Sequence, residues 1–583
     1  MQISEQQWEL TRATVGEGRL SVVMPFFRLA GAAAGNLRNV ADLFEHNRVN
    51  VELVPVDDGS GDGTDDILRS LDFSSYRYVK FTPVICGSNG GKGSALRSGF
   101  NASCGEFVML LDGDLDIKPA LTPVFFESLV KNGADVVVGS KRHRDSEVDY
   151  PWHRRLVSWV YFSLVRLAVG LKITDTQTGM KLFRRNVLGE ALSRMLVKAY
   201  AFDLELLSIA QSRGAKIAEA PVRIDFGGKF GCLSAGTVKT MALDSLAVFY
   251  RLRILKYYAK AEVPRPLEKN PKVSVVIACP NGSWMLDECL AALSKQTYGD
   301  FEVIVLPDSD MTLDADCQVK VIATGKVRPA EKRNIGIKAA SGDIVAFIDD
   351  DAYPEAHWLE YAVKYFSEES IGAVGGPGVT PINDGYLARI GGRVYRNRLV
   401  SGNYRYRYVA GGVRRDVDDY PSCNLFVRRD LLEKIGGYRT DFWPGEDTLL
   451  CKDIVDSGSR IVYDPWVVVC HHRRALFAPH LRQLGRYAFH RGYFVKRYPS
   501  NSAHLSYFVP SAFVAGLLFV WWLWPLYALY GALVLLTTVS LNPLTWLLTA
   551  VGVFLTHVVY GVRFIEGLFA KKAPCEYIGK DHA

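Results

Sequence analysis

No run of apolar residues opens this chain. "MQISEQQWELTRATVGEGRL" (1–20) has no hydrophobic core region, so a secretory leader is not expected, and everything before residue 500 is expected in the cytoplasm. Metal-type cysteine spacing is also missing: the ten cysteines are scattered, and a reducing compartment gives them no reason to pair. They read as small core residues. There is no basic stripe. The formal net charge of +7 is dispersed along the chain, which suits membrane surfaces and phosphates in general and gives no argument for nucleic acid. Nor does a glycine-rich activating loop follow the first apolar run of either half, where "FFRLAG" (26–31) and "ACPNGS" (278–283) stand. That absence argues against a nucleotidyltransferase.

What is present begins with length. At 583 residues the chain exceeds one hydrophobic core and calls for two or three domains. Residues 507–567 are almost wholly apolar and carry Trp521, Trp522 and Trp524. A bilayer core takes about 20 helical residues, so the run 507–541 is too long for one span and Pro525 is placed to divide it, with a further span at 543–565. Two or three spans fit; three would leave Lys571 and Lys572 outside, against the positive-inside tendency.

"KAEVPRPLEKNPK" (260–272), polar and with three prolines, reads as a linker. On each side the same order of elements appears. "LSVVMPF" (20–26) and "VSVVIACP" (273–280) lead through helix-like segments to "VELVPVDDGS" (51–60) and "FEVIVLPDSD" (301–310). Strands alternating with helices imply βαβ units and a mainly parallel sheet. The expected architecture is therefore α/β, an internal duplication with an N-terminal extension (1–18), a first domain (19–259), a linker (260–271), a second domain (272–504), a membrane segment (505–570) and a tail (571–583).

Each half places acids at the mouth of an apolar strand: "EFVMLLDGDLDIKP" (106–119) and "DIVAFIDDDAYPE" (343–355). Ligands of open α/β sheets bind beyond the carboxyl ends of the strands. Acids two apart on an extended segment point the same way, so Asp112, Asp114 and Asp116 are expected to converge on a hard cation, and Asp349 and Asp351 repeat the pattern beside Asp350. Mg²⁺ or Mn²⁺ takes few carboxylates and fills its remaining positions with phosphate oxygens. The inference is a metal holding a diphosphate.

With these motifs on the page, the sequence resembles glycosyltransferase family 2, twice in one chain, and the resemblance implies two tandem GT-A domains, Rossmann-like and mainly parallel. "VDDGSGDGTDDIL" (56–68), "NGGKGSALRSGF" (89–100), "LLDGDLD" (110–116), "DTQTGMKLFRRNVL" (175–188), "AFDLELL" (201–207) and "GGKF" (227–230) make the N-terminal half similar to the polyprenyl-phosphate hexosyltransferases, nearer the dolichyl-phosphate glucose than the mannose branch. This implies a nucleotide contact at Asp58 beside Asp57, metal positions at Asp112, Asp114 and Asp116, and substrate-binding positions at Lys92, Lys181, Arg184, Arg185, Asp203 and Lys229. "FFRLAG" departs from the family's usual Tyr-Asn-Glu, and Gly113 from its usual Ala. A polyprenyl phosphate is ionised at pH 7, so this domain needs cations to position it and no obligatory base. The segments 151–170 and 238–260, with arginines interleaved among aromatic and aliphatic residues, suit interfacial helices.

The C-terminal half resembles the membrane-anchored, glycan-extending branch, through "AALSKQTYGDFEVIV" (291–305), "EKRNIGIKAASGDIVAFIDDDAYPEAHWL" (331–359), "PSCNLFVRRDLLEKIGGY" (421–438) and "GEDTLLCKDIVDSG" (445–458). The branch's glutamate-aspartate motif falls on Glu446 and Asp447. A sugar hydroxyl must lose a proton on attack, which gives Asp447 the part of general base. Asp349 and Asp351 take the metal positions, and Asp308, Lys332, Arg333 and His472 the substrate-binding ones; "LPDSD" keeps only the second of the family's paired acids. His471 shares the doublet after a strand, and "QLGRY" (483–487) is a one-substitution variant of the Gln-x-x-Arg-Trp motif of processive synthases.

The expected protein is a bifunctional, inverting, metal-dependent glycosyltransferase, multi-pass in the cell membrane with both catalytic domains on the cytoplasmic face. It would use nucleotide-diphosphate sugars, Mg²⁺ or Mn²⁺, and polyprenyl phosphate or a lipid-linked glycan among membrane lipids. The alternative gives catalysis to one domain and donor or lipid binding to the other. Two or three spans are too few for the channel of a processive synthase.

Overall fold

The computed structural model describes the chain except residues 1–2, 17, 87–89, 149–168, 198–200, 225–234, 261–266, 268–269, 314, 316 and 572–583. The interfacial segment at 151–170, Lys229, most of the linker and nearly all of the tail lie outside the described residues. The chain divides into two compact units, Met1–Val263 and Pro264–Ala583.

In the N-terminal unit, helix α1 (Glu5–Val15) precedes ten strands among the described residues: β1 (Leu20–Phe26), β2 (Val51–Asp57), β3 (Val79–Phe81), β4 (Val84–Ile85), β5 (Phe107–Leu111), β6 (Val136–Ser140), β7 (Glu147–Val148), β8 (Met180–Arg184), β9 (Ile217–Pro221) and β10 (Arg223–Ile224). The main sheet runs β3-β2-β1-β5-β8-β6-β9, with β4 also on β2. β1 is parallel to β2 and β5, while β8 is antiparallel to β5 and β6. Both faces are covered, so β2 and β5 are buried at every residue and read as unbroken apolar runs. Helices α2 (Ala30–His46), α3 (Lys92–Ala102), α4 (Thr122–Asn132) and α5 (Phe202–Ser212) flank the sheet.

The C-terminal unit repeats this order. Its strands are β11 (Val273–Ala278), β12 (Phe301–Leu306), β13 (Val319–Val321), β14 (Ile344–Asp349), β15 (Ala352–Pro354), β16 (Ile371–Gly375), β17 (Gly378–Val379), β18 (Arg415–Val417), β19 (Asn424–Arg428), β20 (Arg460–Tyr463) and β21 (Val469–His471). The main sheet runs β13-β12-β11-β14-β19-β16-β20-β18, again with an antiparallel strand, β19, inserted beside the acid-bearing strand, and with β18 antiparallel to β20 at the edge; β15, β21 and β17 form a small second sheet. The fold class is the expected one, two doubly wound α/β sheets with mainly parallel cores.

Helices of this unit that shape its site are α6 (Pro329–Ala339), α7 (Tyr386–Arg396), α8 (Glu446–Asp456), α9 (Ala478–Arg497), α10 (Leu505–Gly516), α11 (Val520–Thr537) and α12 (Pro543–Phe569). Among the described residues, two stretches are long and apolar enough to cross a membrane, Leu505–Thr537 and Pro543–Phe569. The first is interrupted by a 3-10 turn at Leu517–Phe519, so the division falls there and not at Pro525, which sits inside α11. Trp521 and Trp522 are 86% and 81% exposed, as a lipid-facing surface requires.

α12 lies against α9 through glycines. A Cβ at Gly492 would stand 2.1 Å from the Phe564 carbonyl oxygen, and one at Gly567 1.9 Å from that of Phe489. This close approach follows the small-residue packing of membrane helices. Gly492→Val is expected to lower stability by about 2 kcal/mol, read as an earlier thermal transition of the detergent-solubilised protein. Gly531→Ala, which meets nothing within 4 Å, should leave the transition in place.

Candidate active sites

In both units the parallel strands end together, and the polar residues of interest gather at those ends. In the N-terminal unit, Asp57 closes β2 and accepts from the Ser60 backbone and hydroxyl, which fixes the turn. Asp58 accepts from the amides of Gly90 (2.9 Å) and Gly91 (2.9 Å), just ahead of α3. The first residue of α3, Lys92, reaches Asp112 beyond β5 at 2.5 Å. Lys181 on β8 pairs with Asp203 of α5 at 2.6 Å, both buried, and donates to the Thr178 carbonyl. Burial raises the Asp203 carboxyl against the pull of Lys181 and Lys92. Lys92, Asp112, Lys181 and Asp203 thus form one cluster of alternating charge.

Two expectations for this unit are corrected. Arg184 and Arg185 do not reach the acidic end. β8 runs antiparallel, which sets Arg184 opposite Phe107, the first residue of β5. Arg184 lies 3.6 Å from Asp135, and Arg185 donates to the carbonyls of Phe100, Ser103 and Gly105, closing the end of α3. Asp116 is the second. The acids lie on a turn, with Leu115 at φ +55°, and Asp116 is exposed and donates its amide to Asp114. Asp112, Asp114 and Asp116 do not close into a three-ligand group. Asp112 and Asp114 remain neighbours, and desolvation with Asp112 and Asp116 alongside raises Asp114. Two carboxylates are what Mg²⁺ commonly takes from protein when phosphates supply the rest.

The C-terminal unit does assemble a metal-type group. Asp349, Asp351 and His471 place ligand atoms within 4.8 Å of one another. Register explains this: β15 pairs antiparallel with β21, with Ala352 opposite His471, which brings the imidazole Nε2 to 3.1 Å from Asp351. Burial pulls His471 down, Asp351 overrides it, and its pKa is pushed up to about 10; Asp351 is held at about 2, its burial outweighed by His471 and the following arginines. Once a cation displaces the imidazolium proton, one N and two O donors fit Mn²⁺ or Mg²⁺. His472, the expected contact, is corrected. Its ring bonds Asp384 and Glu288 (2.8 Å) and meets the Trp284 edge at 5.0 Å.

Asp308, beyond β12, is held by Lys332 Nζ at 2.5 Å, which also donates to the Cys279 and Leu306 carbonyls. Arg333, the next residue of α6, reaches Asp349 (2.8 Å), Glu446 (3.3 Å) and Asp447 (3.7 Å). Glu446 and Asp447 open α8, where the helix N-terminus favours negative charge. Their side chains differ in access, 7% exposed for Glu446 and 29% for Asp447. Burial, with Asp447 beside it, pushes Glu446 up to about 7; burial raises Asp447 too, opposed by Arg333 and the Ser422 hydroxyl that donates to it. Asp447 and His471 line a cavity of about 570 Å³. Ser422, absent from the expected residues, sits in "PSCNLF" and orients the acid.

The family model described as glycosyl transferase family 2 matches residues 21–192 and 274–436, more than half of the chain. A dolichyl-phosphate beta-glucosyltransferase, ALG5C of Trichomonas vaginalis, is 30% identical over 221 residues, 36% of this chain and 64% of the relative. The glycosyltransferase AglE of Haloferax volcanii is 29% identical over 216 residues, 35% of this chain and 68% of the relative. The match thus spans less than two thirds of the first relative's length. Among solved structures, the mannosyltransferase PcManGT of Pyrobaculum calidifontis, in complex with GDP-Man and Mn²⁺, covers 57% of this chain and 98% of its own at 20% identity, with a TM-score of 0.36.

Exchanging the two histidines one at a time separates their parts. His471→Ala and Asp351→Asn are each expected to weaken Mn²⁺ binding 10- to 100-fold, an order of magnitude taken from perturbed metal sites, as followed by the free-Mn²⁺ paramagnetic resonance signal. His472→Ala should leave the titration unchanged.

Proposed function

The chain belongs to glycosyl transferase family 2, and from that premise we propose that both units transfer sugars from nucleotide-diphosphate donors, each to a different acceptor. The N-terminal unit would move a hexose to a polyprenyl phosphate, and the C-terminal unit would glycosylate a hydroxyl of a lipid-linked glycan, the membrane segment keeping both at the lipid surface. The observation that carries the division is Asp447. It is the more accessible acid of its pair, oriented by Ser422, beside Arg333 and the Asp349/Asp351/His471 group.

The residues have separable parts. In the C-terminal unit, Asp349, Asp351 and His471 would hold Mn²⁺ or Mg²⁺, which neutralises charge on a diphosphate leaving group when bound. Lys332 positions Asp308 towards the nucleotide, and Arg333 holds Asp349 in place by an ion pair of 2.8 Å. Asp447 takes the proton of the attacking hydroxyl. The hydroxyl oxygen forms the new bond to the anomeric carbon as the bond from that carbon to the diphosphate oxygen breaks, the electron pair leaving with the diphosphate. One displacement inverts the anomeric configuration. In the N-terminal unit, Asp112 and Asp114 would hold the metal, Lys92 and Lys181 supply positive charge near the diphosphate, and Asp58 receives the nucleoside; a phosphate acceptor carries no proton to remove.

Purified protein in detergent with Mn²⁺, radiolabelled nucleotide sugars, a short polyprenyl phosphate and a lipid-linked disaccharide tests the division. Asp114→Ala should abolish labelling of the polyprenyl phosphate. Asp447→Asn should leave it intact and lower sugar-on-sugar transfer by at least 10²-fold, the scale of a lost general base. If Asp447→Asn removes both products in a folded protein, the division fails. Polyprenyl phosphate labelling that survives Asp114→Ala overturns the metal assignment in the N-terminal unit.

A further inference from the structure

The cavity beside Asp447 does not stop at the reacting groups. It continues past α7 and α9 to Phe513 of α10, Tyr530 of α11 and Tyr560 of α12. Three guanidiniums line it between these ends, those of Arg407, Arg473 and Arg491. A buried carboxylate on the same wall, Asp419, receives Arg491 Nη2 at 2.9 Å and lies 3.6 Å from Arg407 Nη2. Burial would raise Asp419, but Arg491 and Arg407 outweigh it and hold it at about 2.

One carboxylate cannot satisfy this set. Arg407 Nε, Arg473 Nε and Arg491 Nη1 are buried and make no hydrogen bond among the described residues. Tyrosine rings back the cations: Tyr404 lies 4.7 Å from Arg407, Tyr408 5.2 Å from Arg473 and Tyr507 4.8 Å from Arg491. Buried guanidinium donors left unpaired are costly, and a phosphate, with its planar pairs of oxygens, is the anion such forks fit.

We infer that this cavity binds the phosphate of an acceptor whose saccharide is carried on a lipid phosphate, with Arg407 and Arg491 as the anion's partners. The inference rests on reading this unit as a glycosyl-transfer site and names its acceptor. The ligand is amphipathic because one cavity joins the arginines to the apolar helices. Its saccharide is short because Thr448, the residue after Asp447, donates its hydroxyl to Asp419 at 3.1 Å, which sets the anion site beside the base. Arg473 bonds His471 at 3.3 Å and so belongs to the donor end; Arg407 and Arg491 are the residues to test.

The test uses the full chain in detergent and two photoreactive probes with a diazirine at the chain end, farnesyl phosphate and farnesol, with labelled peptides mapped by mass spectrometry. Farnesyl phosphate is expected to label peptides from α10 and α12 about tenfold more than farnesol. Arg407→Gln with Arg491→Gln should reduce it to the farnesol level without shifting the Mn²⁺ titration, and Arg407→Lys with Arg491→Lys should keep an intermediate level. Excess inorganic phosphate should displace little of the label. Equal labelling by both probes in the wild type overturns the inference even if the glutamine variant fails to fold, and so does labelling unchanged in a folded glutamine variant. Complete displacement by inorganic phosphate shows a free-phosphate site and overturns the lipid part. The two readings fail differently. Labelling without any transfer by the wild type sinks the transferase reading of this unit alone, and transfer to a phosphate-free glycan without labelling sinks this inference alone.

Discussion

A single guanidinium holds the C-terminal site together. Arg333 is drawn simultaneously to Asp349 at the end of β14 and to Glu446 and Asp447 at the start of α8, acids about a hundred residues apart. Carboxylates gathered in a poorly hydrated place repel one another and resist ionisation, so a site that needs them charged must bring its own cation. The raised carboxyls of Glu446 and Asp447 show that the compensation is partial. The N-terminal unit meets the same constraint with two lysines, Lys92 on Asp112 and Lys181 on Asp203. Its acids are thereby each given a lysine within one cluster, whereas Arg333 leaves Asp351 to face His471.

The two sheets share their strand order, including the antiparallel strand beside the acidic one. They part company after that strand. In the N-terminal unit Leu115 adopts φ +55° and the chain returns only as an isolated bridge between Ile117 and Ile224. In the C-terminal unit Ala352–Pro354 forms a strand against β21, and that pairing delivers His471. Two units with the same sheet thus present different side chains at its end, through the few residues that leave it.

Much of this was legible in the sequence because it is local. Alternating apolar runs and turn residues reveal the βαβ order, and acids after an apolar strand reveal the end of the sheet where ligands bind. What was not legible depends on direction and register. Arg184 and Arg185 follow a motif next to Lys181, but an antiparallel β8 carries Lys181 to the acidic end and the two arginines away from it. The doublet His471 and His472 gives no sign of which ring faces Asp351; the alternation of a strand decides it. Three alternate aspartates imply convergence only on an extended backbone, and a left-handed Leu115 removes that premise. Ser422 and the arginines of the cavity come from segments far from the acids, where no spacing signals their approach.

The membrane segment reads as purely apolar, yet α12 is two-sided. Its inner face carries Thr545, Thr549, Thr556, His557 and Gly561, all buried or packed against the domain, while Leu544, Leu547 and Phe554 are exposed. Tyr386 and Thr545 share a hydrogen bond of 2.9 Å, and His557 links Tyr530 (2.7 Å) to the Leu399 carbonyl (2.9 Å). Polar groups inside a membrane helix are satisfied by partners within the protein, and here Tyr386 and the Leu399 carbonyl come from outside the apolar helices while Tyr530 comes from α11. The helices are therefore more than an anchor. They form the far wall of the cavity that Asp447 also lines, so the distance from the apolar helices to that carboxylate is built into one folded unit.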